Sequence, residues 1–165
     1  MDRLLPAAAQ AAALLKARKE TIAVAESSIG GLVSAALIAV PGASAYFLGG
    51  SVVYTRNARE TLLRISEGIL RGTPPASEQM AALLAENARQ SLGTTWGLGE
   101  AGATGPGGNR YGHAAGHGVL AVVGPTAQTR TIETGSSDRI ANMRMFGLTL
   151  LEMLIEALEA APPRQ

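Results

Sequence analysis

Thr21-Ile22-Ala23-Val24-Ala25-Glu26-Ser27-Ser28-Ile29-Gly30-Gly31-Leu32-Val33-Ser34 decides how the rest of the chain is read. Its first half is short, apolar and partly β-branched, which predicts a buried strand. From about Gly30 to Val40 the chain turns rich in Ala and Leu, which predicts a helix. The turn between them holds the carboxylate of Glu26, the hydroxyls of Ser27 and Ser28, and Gly30 and Gly31. A strand entering a helix in this way brings the free backbone N–H groups of the helix start beside the two serines. Glycine lets a ligand approach the backbone closely. A serine at such a place is either a nucleophile or a helix cap, and spacing alone leaves both open.

On the N-terminal side, residues 3 to 18 predict an amphipathic helix: Leu4, Ala8, Ala11 and Leu15 recur at helical spacing, and Lys16, Arg18 and Lys19 suit its C-terminal end. On the other side, the organising helix ends near Val40-Pro41-Gly42. Tyr46 to Tyr54 predicts a second strand, with Gly49-Gly50 as a kink or bulge. Asn57 to about Ile65 predicts a short helix whose Arg56, Arg59, Glu60 and Arg64 read as a solvated charged face. Residues 66 to 76 read as a loop. Ser77 is placed as the N-cap of a helix whose stripe is Met80, Leu83, Leu84 and Ala88. Thr94 to Leu98 reads as extended, with Trp96 in the core. A glycine-rich run follows, and then a hairpin of Val119–Val123 and Ala127–Glu133 turning at Gly124-Pro125-Thr126. A long helix from about Asp138 to Ala160 closes the chain, lined by Met143, Phe146, Leu150, Leu154 and Leu158. Residues 162–165 read as a frayed tail. Strands mixed with helices imply an α/β sandwich, and the antiparallel hairpin implies a mixed sheet.

The chain has 165 residues, 47% hydrophobic and 16% charged, which fits one domain with a sizeable core. A net charge of +1 gives no electrostatic pull toward nucleic acid. No cysteine is present, which excludes a thiolate nucleophile and Cys-ligated zinc and fits a cytoplasmic setting. No segment reads as a membrane span or a signal peptide.

Ala25-Glu26-Ser27-Ser28-Ile29-Gly30-Gly31 resembles the A-E-S-C-T-G-G signature of the CinA C-terminal domain family, the nicotinamide-nucleotide amidases. Pro41 to Phe47, then Gly50 to Thr55, resembles that family's next block. Ala76-Ser77-Glu78 resembles its V-S-E helix start, and Gly102-Ala103-Thr104-Gly105-Pro106-Gly107-Gly108 its G-I-A-G-P-x-G loop. The larger family members carry an additional N-terminal domain, and this chain reads as a stand-alone C-terminal-type domain, residues 1–165. The resemblance implies a three-layer α/β/α sandwich that associates as a homo-oligomer. It implies hydrolysis of the carboxamide of nicotinamide mononucleotide to the carboxylate, releasing ammonia, with no cofactor and no metal. Ser27 matches the family nucleophile and Tyr54 the assisting tyrosine. Arg59 stands at the lysine of Y-x-x-x-x-K.

Lysine can lose a proton when desolvated and act as a base, whereas arginine, with a pKa above about 12, stays charged. Other departures accompany it: Ser28 and Ile29 replace the signature Cys and Thr, Ala101 replaces a small hydroxyl residue, and Glu100 brings a carboxylate to a usually apolar position. Arg139 and Arg144 follow Gly135 at an altered spacing. Two functions follow. One is a serine amidohydrolase in which Glu26 or Glu100 replaces the base and backbone N–H groups near Ser28 to Gly31 stabilise the oxyanion. The other is a pyridine-nucleotide-binding or interaction protein that has lost its base. Glu26, Ser28, Gly30, Gly31, Gly102, Gly105 and Arg110 are the expected substrate contacts, with Arg110-Tyr111 as a phosphate clamp or stacking pair. Ser27, Tyr54 and the Gly102–Gly108 loop are expected in one pocket, with Arg59 and Glu100 paired there. His113 and His117 read as loop histidines rather than metal ligands. The glycine loop lacks the G-K-[ST] ending of a nucleotide triphosphatase.

Overall fold

In the computed structural model, residues 1–162 are described; of the expected frayed tail, 163–165 lie outside the described residues. The strands are β1 (Ile22–Glu26), β2 (Phe47–Val52), β3 (Trp96–Ala103), β4 (His117–Val123) and β5 (Ala127–Glu133). They form one sheet in the order β2-β1-β3-β4-β5. β1 runs parallel to both neighbours, and β3-β4-β5 are antiparallel. The helices are α1 (Leu5–Arg18), α2 (Leu32–Ile38), α3 (Arg56–Leu63), α4 (Glu67–Gly72), α5 (Glu78–Leu92) and α6 (Arg139–Ala160). The architecture is the α/β/α sandwich with a mixed sheet that the sequence implies.

Strand alternation decides which face each side chain meets. Ile22 and Val24 of β1, Trp96 and Leu98 of β3, and Leu120 and Val122 of β4 pack with α1, α2 and α6. Their neighbours on the other face are small: Ala23, Ala25, Ala101 and Ala121 lie against Met80, Leu84 and Ala85 of α5. Gly97 and Gly99 of β3 complete that flat surface. A Cβ on Gly99 would stand 2.0 Å from the Ala81 carbonyl oxygen, and one on Gly97 2.1 Å from that of Ala85. Bulk on one face and its absence on the other set the two layer spacings.

Four local expectations change. The organising helix begins only at Leu32, because Gly30 and Gly31 sit at φ 73° and 95°, outside the helical region. In β2 the register passes from Ile22↔Phe47 to Ala23↔Gly49, so the irregularity falls at Leu48 rather than within Gly49-Gly50. The segment 66 to 76 contains α4, whose cap Ser66 accepts from the Ile69 amide; flanking Gly and Pro hid this single short helix. β3 runs on through Glu100 to Ala103, because its glycines face α5 rather than forming a loop. Ser77 is the cap the sequence implies, accepting from the Met80 amide, and Asp138 caps α6 by accepting from the Ala141 amide. None of the helices among the described residues is long and apolar enough to cross a membrane.

Candidate functional site

The three parallel strands end together, and their carboxyl ends carry Ser27 after β1, Tyr54 after β2 and Gly102 near the end of β3. Ligands of open α/β sheets bind at such carboxyl ends. Here a cleft of about 800 Å³ opens, lined by Ser27, Tyr54, Arg59, Gly102, Arg110 and Tyr111 among others. A recess of about 330 Å³ adjoins it, sharing Tyr54, Gly102 and Asn109 and adding Gly105, Gly107, Gly108 and Arg139. Ser27, Tyr54 and the glycine loop thus share one region, as their motifs suggest.

Glu26 and Glu100 occupy even positions on β1 and β3, on the face that meets α2. Both are fully buried. Glu26 Oε2 accepts from the amides of Gly31 at 2.9 Å and Val33 at 3.2 Å, and Oε1 from the Ser34 amide at 2.8 Å and hydroxyl at 2.6 Å. It therefore caps α2 and offsets the positive end of that helix. Glu100 Oε2 accepts from the amides of Ser27 at 2.9 Å and Ile29 at 3.0 Å, and Oε1 accepts from the Ser28 hydroxyl. Burial pushes the Glu100 carboxyl above its ordinary value; its three donors pull it down, and nearby Glu26 adds to the rise.

These contacts correct three readings. Neither Glu26 nor Glu100 makes a hydrogen bond to the Ser27 hydroxyl, so neither is placed as its base. The amides of Ile29 and Gly31 are already taken by the two carboxylates, so they are not available for an oxyanion. Ser28 is buried against Glu100 instead of lining the cleft, and Gly30 and Gly31 shape the turn without lining it.

Arg59 is a further correction. It lies on α3, yet only 9% of it is exposed, and its side chain turns inward rather than into solvent. Nη2 donates to Ser27 Oγ at 3.4 Å and Nε to the Val53 carbonyl at 3.3 Å. No carboxylate of the described residues lies within 4.0 Å of it, so the expected pairing with Glu100 is not made. Ser27 stands between them, its amide on Glu100 and its hydroxyl on Arg59. Burial lowers the pKa of the guanidinium, while Glu100 and Tyr111 raise it.

Further residues complete the walls. Arg139 donates to the Gly105 carbonyl at 2.7 Å and to the Tyr54 hydroxyl at 3.3 Å. Its off-pattern spacing after Gly135 was the available signal. Arg56 and Arg71 also line the cleft, but both are paired with Glu67. Asn109 Oδ1 accepts from the amides of Tyr111 and His113 and fixes the loop that carries Arg110. The Arg110 guanidinium lies 5.2 Å from the Tyr111 ring centre, and Nε donates to that phenol oxygen. His117 is a buried residue of β4 rather than a loop histidine, set between the Ala76 carbonyl and Glu133 and stacked on His113. Among the described residues no cluster of three or more His, Cys, Asp or Glu side chains could hold a metal.

A mixed α/β/α sheet with a serine turn at its carboxyl edge defines a class, and comparison with known proteins gives its family. The profile described as the CinA C-terminal domain matches residues 5–158. The chain belongs to that family. It is 44% identical over 112 residues to a CinA-like protein of Prochlorococcus marinus, covering 68% of this chain and 26% of the relative. A CinA-like protein of Parasynechococcus marenigrum is 40% identical over 142 residues, covering 86% and 34% respectively. The chain thus spans about a third or less of the length of these relatives. Among solved structures, the competence/damage inducible protein CihA from Agrobacterium tumefaciens superposes with a TM-score of 0.87 at 26% identity, covering 95% of this chain and 96% of that one. A CinA superfamily protein from Klebsiella pneumoniae gives a TM-score of 0.88 at 23% identity, covering 94% and 98%, and supports the fold.

Proposed function

We propose that the cleft binds a pyridine nucleotide and that Ser27 is the group that meets its carboxamide, as in a serine amidohydrolase. The observation that supports this is the position of Ser27: on the turn leaving β1, at the wall of the cleft, with Oγ held by Arg59. In such a reaction Oγ attacks the amide carbon and its proton passes to the leaving nitrogen; the C–N bond breaks, releasing ammonia and leaving an acyl-serine, and water then hydrolyses that ester to the free acid and the serine hydroxyl. Arg59 stabilises negative charge as it develops at that oxygen. It does not remove the serine proton, because arginine stays protonated.

One observation favours a second reading, binding without turnover. The only hydrogen bond recorded for Ser27 Oγ among the described residues comes from Arg59, a donor rather than a base. Ammonia release from nicotinamide mononucleotide decides between the two. Hydrolysis by the wild type that disappears in Ser27→Ala supports the amidase. Saturable binding with no ammonia in either protein supports the binding protein. Release that survives Ser27→Ala would remove Ser27 from its role.

A further inference from the structure

We infer that the cleft is built for the acid form of its ligand: it recognises a phosphorylated nucleotide bearing an aromatic carboxylate in preference to the matching carboxamide. The inference rests on the pyridine-nucleotide reading above and adds the charge state of the ring substituent.

The argument starts from Arg59. A buried guanidinium without a hydrogen-bonded counter-ion is costly, and among the described residues this one has two acceptors, both neutral, the Val53 carbonyl and Ser27 Oγ. Glu100 acts on it through space but spends both oxygens on Ser27, Ser28 and Ile29. The remaining donors of the planar fork are therefore without a protein carboxylate, on a residue that lines the cleft. A ligand carboxylate supplies two coplanar acceptors and a full charge, which is what such a fork matches. A carboxamide supplies one acceptor and turns an NH2 donor toward other donors. Because Arg59 is itself buried that difference is large, since the wrong group leaves its charge without a bonded partner.

The second anion has its own place. Arg139 borders the adjoining recess, and no carboxylate of the described residues pairs with it; it donates only to the Gly105 carbonyl and the Tyr54 hydroxyl. The recess is walled by Gly105, Gly107 and Gly108, where backbone can come close to a phosphate. Tyr54 and the Arg110–Tyr111 pair also line the cleft, offering an aromatic face and a further cation that forms no ion pair among the described residues. A carboxylate at Arg59 and a phosphate at Arg139 thus assign opposite ends of one ligand to the two compartments.

Titration calorimetry with a matched pair of probes, nicotinate mononucleotide and nicotinamide mononucleotide, tests this on the whole chain, with Ser27→Ala used for both so that the amide is not consumed. The expected result is that the acid binds about tenfold tighter or better. In Arg59→Met the preference collapses toward equality, chiefly through loss of acid affinity. Equal affinities, or a preference for the amide, would overturn the inference while leaving the pyridine-nucleotide reading standing. Absence of binding by both probes would overturn both. If Arg59→Met does not fold, the ratio measured in the Arg59-containing protein already decides the matter. Equal loss of both ligands in a folded Arg59→Met would place the phosphate, not the carboxylate, at Arg59 and would also overturn it.

Discussion

Ser27 is gripped twice, and the two grips differ in kind. Glu100 holds its amide from inside the fold, and Arg59 holds its hydroxyl from the cleft. Glu100 has no exposure, so its ionisation carries a desolvation cost that its donors offset only in part, and its pKa is raised. The sign of the consequence is fixed by linkage. A carboxyl raised in the folded state contributes stability below its ordinary value of 4.5 and loses that contribution as pH climbs through the raised one. Glu100→Gln removes the titration while its carbonyl still accepts from Ser27 and Ile29 and its amide can donate to Ser28. The variant should therefore gain on the wild type as pH rises. Denaturant unfolding at about pH 5 and about pH 8 reads the difference, which should grow toward the higher pH. A wild type that gains relative to Glu100→Gln would show that the three donors outweigh burial. The identity of these residues was legible from the motif, but their contacts were not. Arg59 and Glu100 stood out as charged departures expected to pair, but the sequence did not show that Ser27 would stand between them.

Between elements, the closest approach that fixes the site is α5 on β3. That strand delivers Gly102 to the cleft and Glu100 to the serine turn, and it can do so only at a depth set by Gly97 and Gly99. A methyl on Gly99 would meet helix backbone, the Ala81 carbonyl at 2.0 Å and the Ala85 amide at 2.6 Å, which cannot yield as a flexible side chain would. Gly99→Ala should destabilise by about 1–3 kcal/mol or more, a melting-temperature fall of roughly 5–10 °C. Gly107→Ala, with nothing within 4 Å of the added Cβ, should stay within about 0.5 kcal/mol of wild type. A Gly99→Ala melt superimposable on wild type would mean the layers are looser than drawn. The same contrast explains what the sequence showed and withheld. Strong periodicity made α1, α5, α6 and the β4–β5 hairpin readable. Glycine carries no such periodicity, so β3 looked like a loop beyond Leu98, and a helix as short as α4 had too few turns to display a stripe.

At the scale of the whole molecule, the two sheet edges are treated differently. β5 is guarded: Thr129 and Thr131 donate to Glu78, and Arg130 pairs with Glu156. β2, Phe47-Leu48-Gly49-Gly50-Ser51-Val52, carries no charge, and Leu48 and Val52 are each close to half exposed. Leu92 of α5, also close to half exposed, reaches this strand, its Cδ1 lying 2.8 Å from where a Cβ on Gly49 would stand. An uncharged edge flanked by apolar side chains is the kind of surface that folded proteins otherwise protect. The bulge at Leu48 interrupts backbone pairing along part of it, so side-chain burial rather than a continuous ladder is the way to cover it. We propose that a second copy of the chain packs on β2. Sedimentation velocity at micromolar concentration should show an associated species. Leu48→Lys together with Leu92→Lys should convert it to monomer without lowering the melting temperature of the protomer, since both side chains project from the surface rather than into either core. A wild type that sediments as monomer throughout that range, or a double variant that stays associated, would move the contact away from β2. Because Tyr54 follows this strand by only two residues and lines both compartments of the cleft, monomerisation should also weaken ligand binding if the second copy covers the cleft mouth. Unchanged calorimetric affinity in the monomeric variant would instead assign the whole ligand site to a single chain.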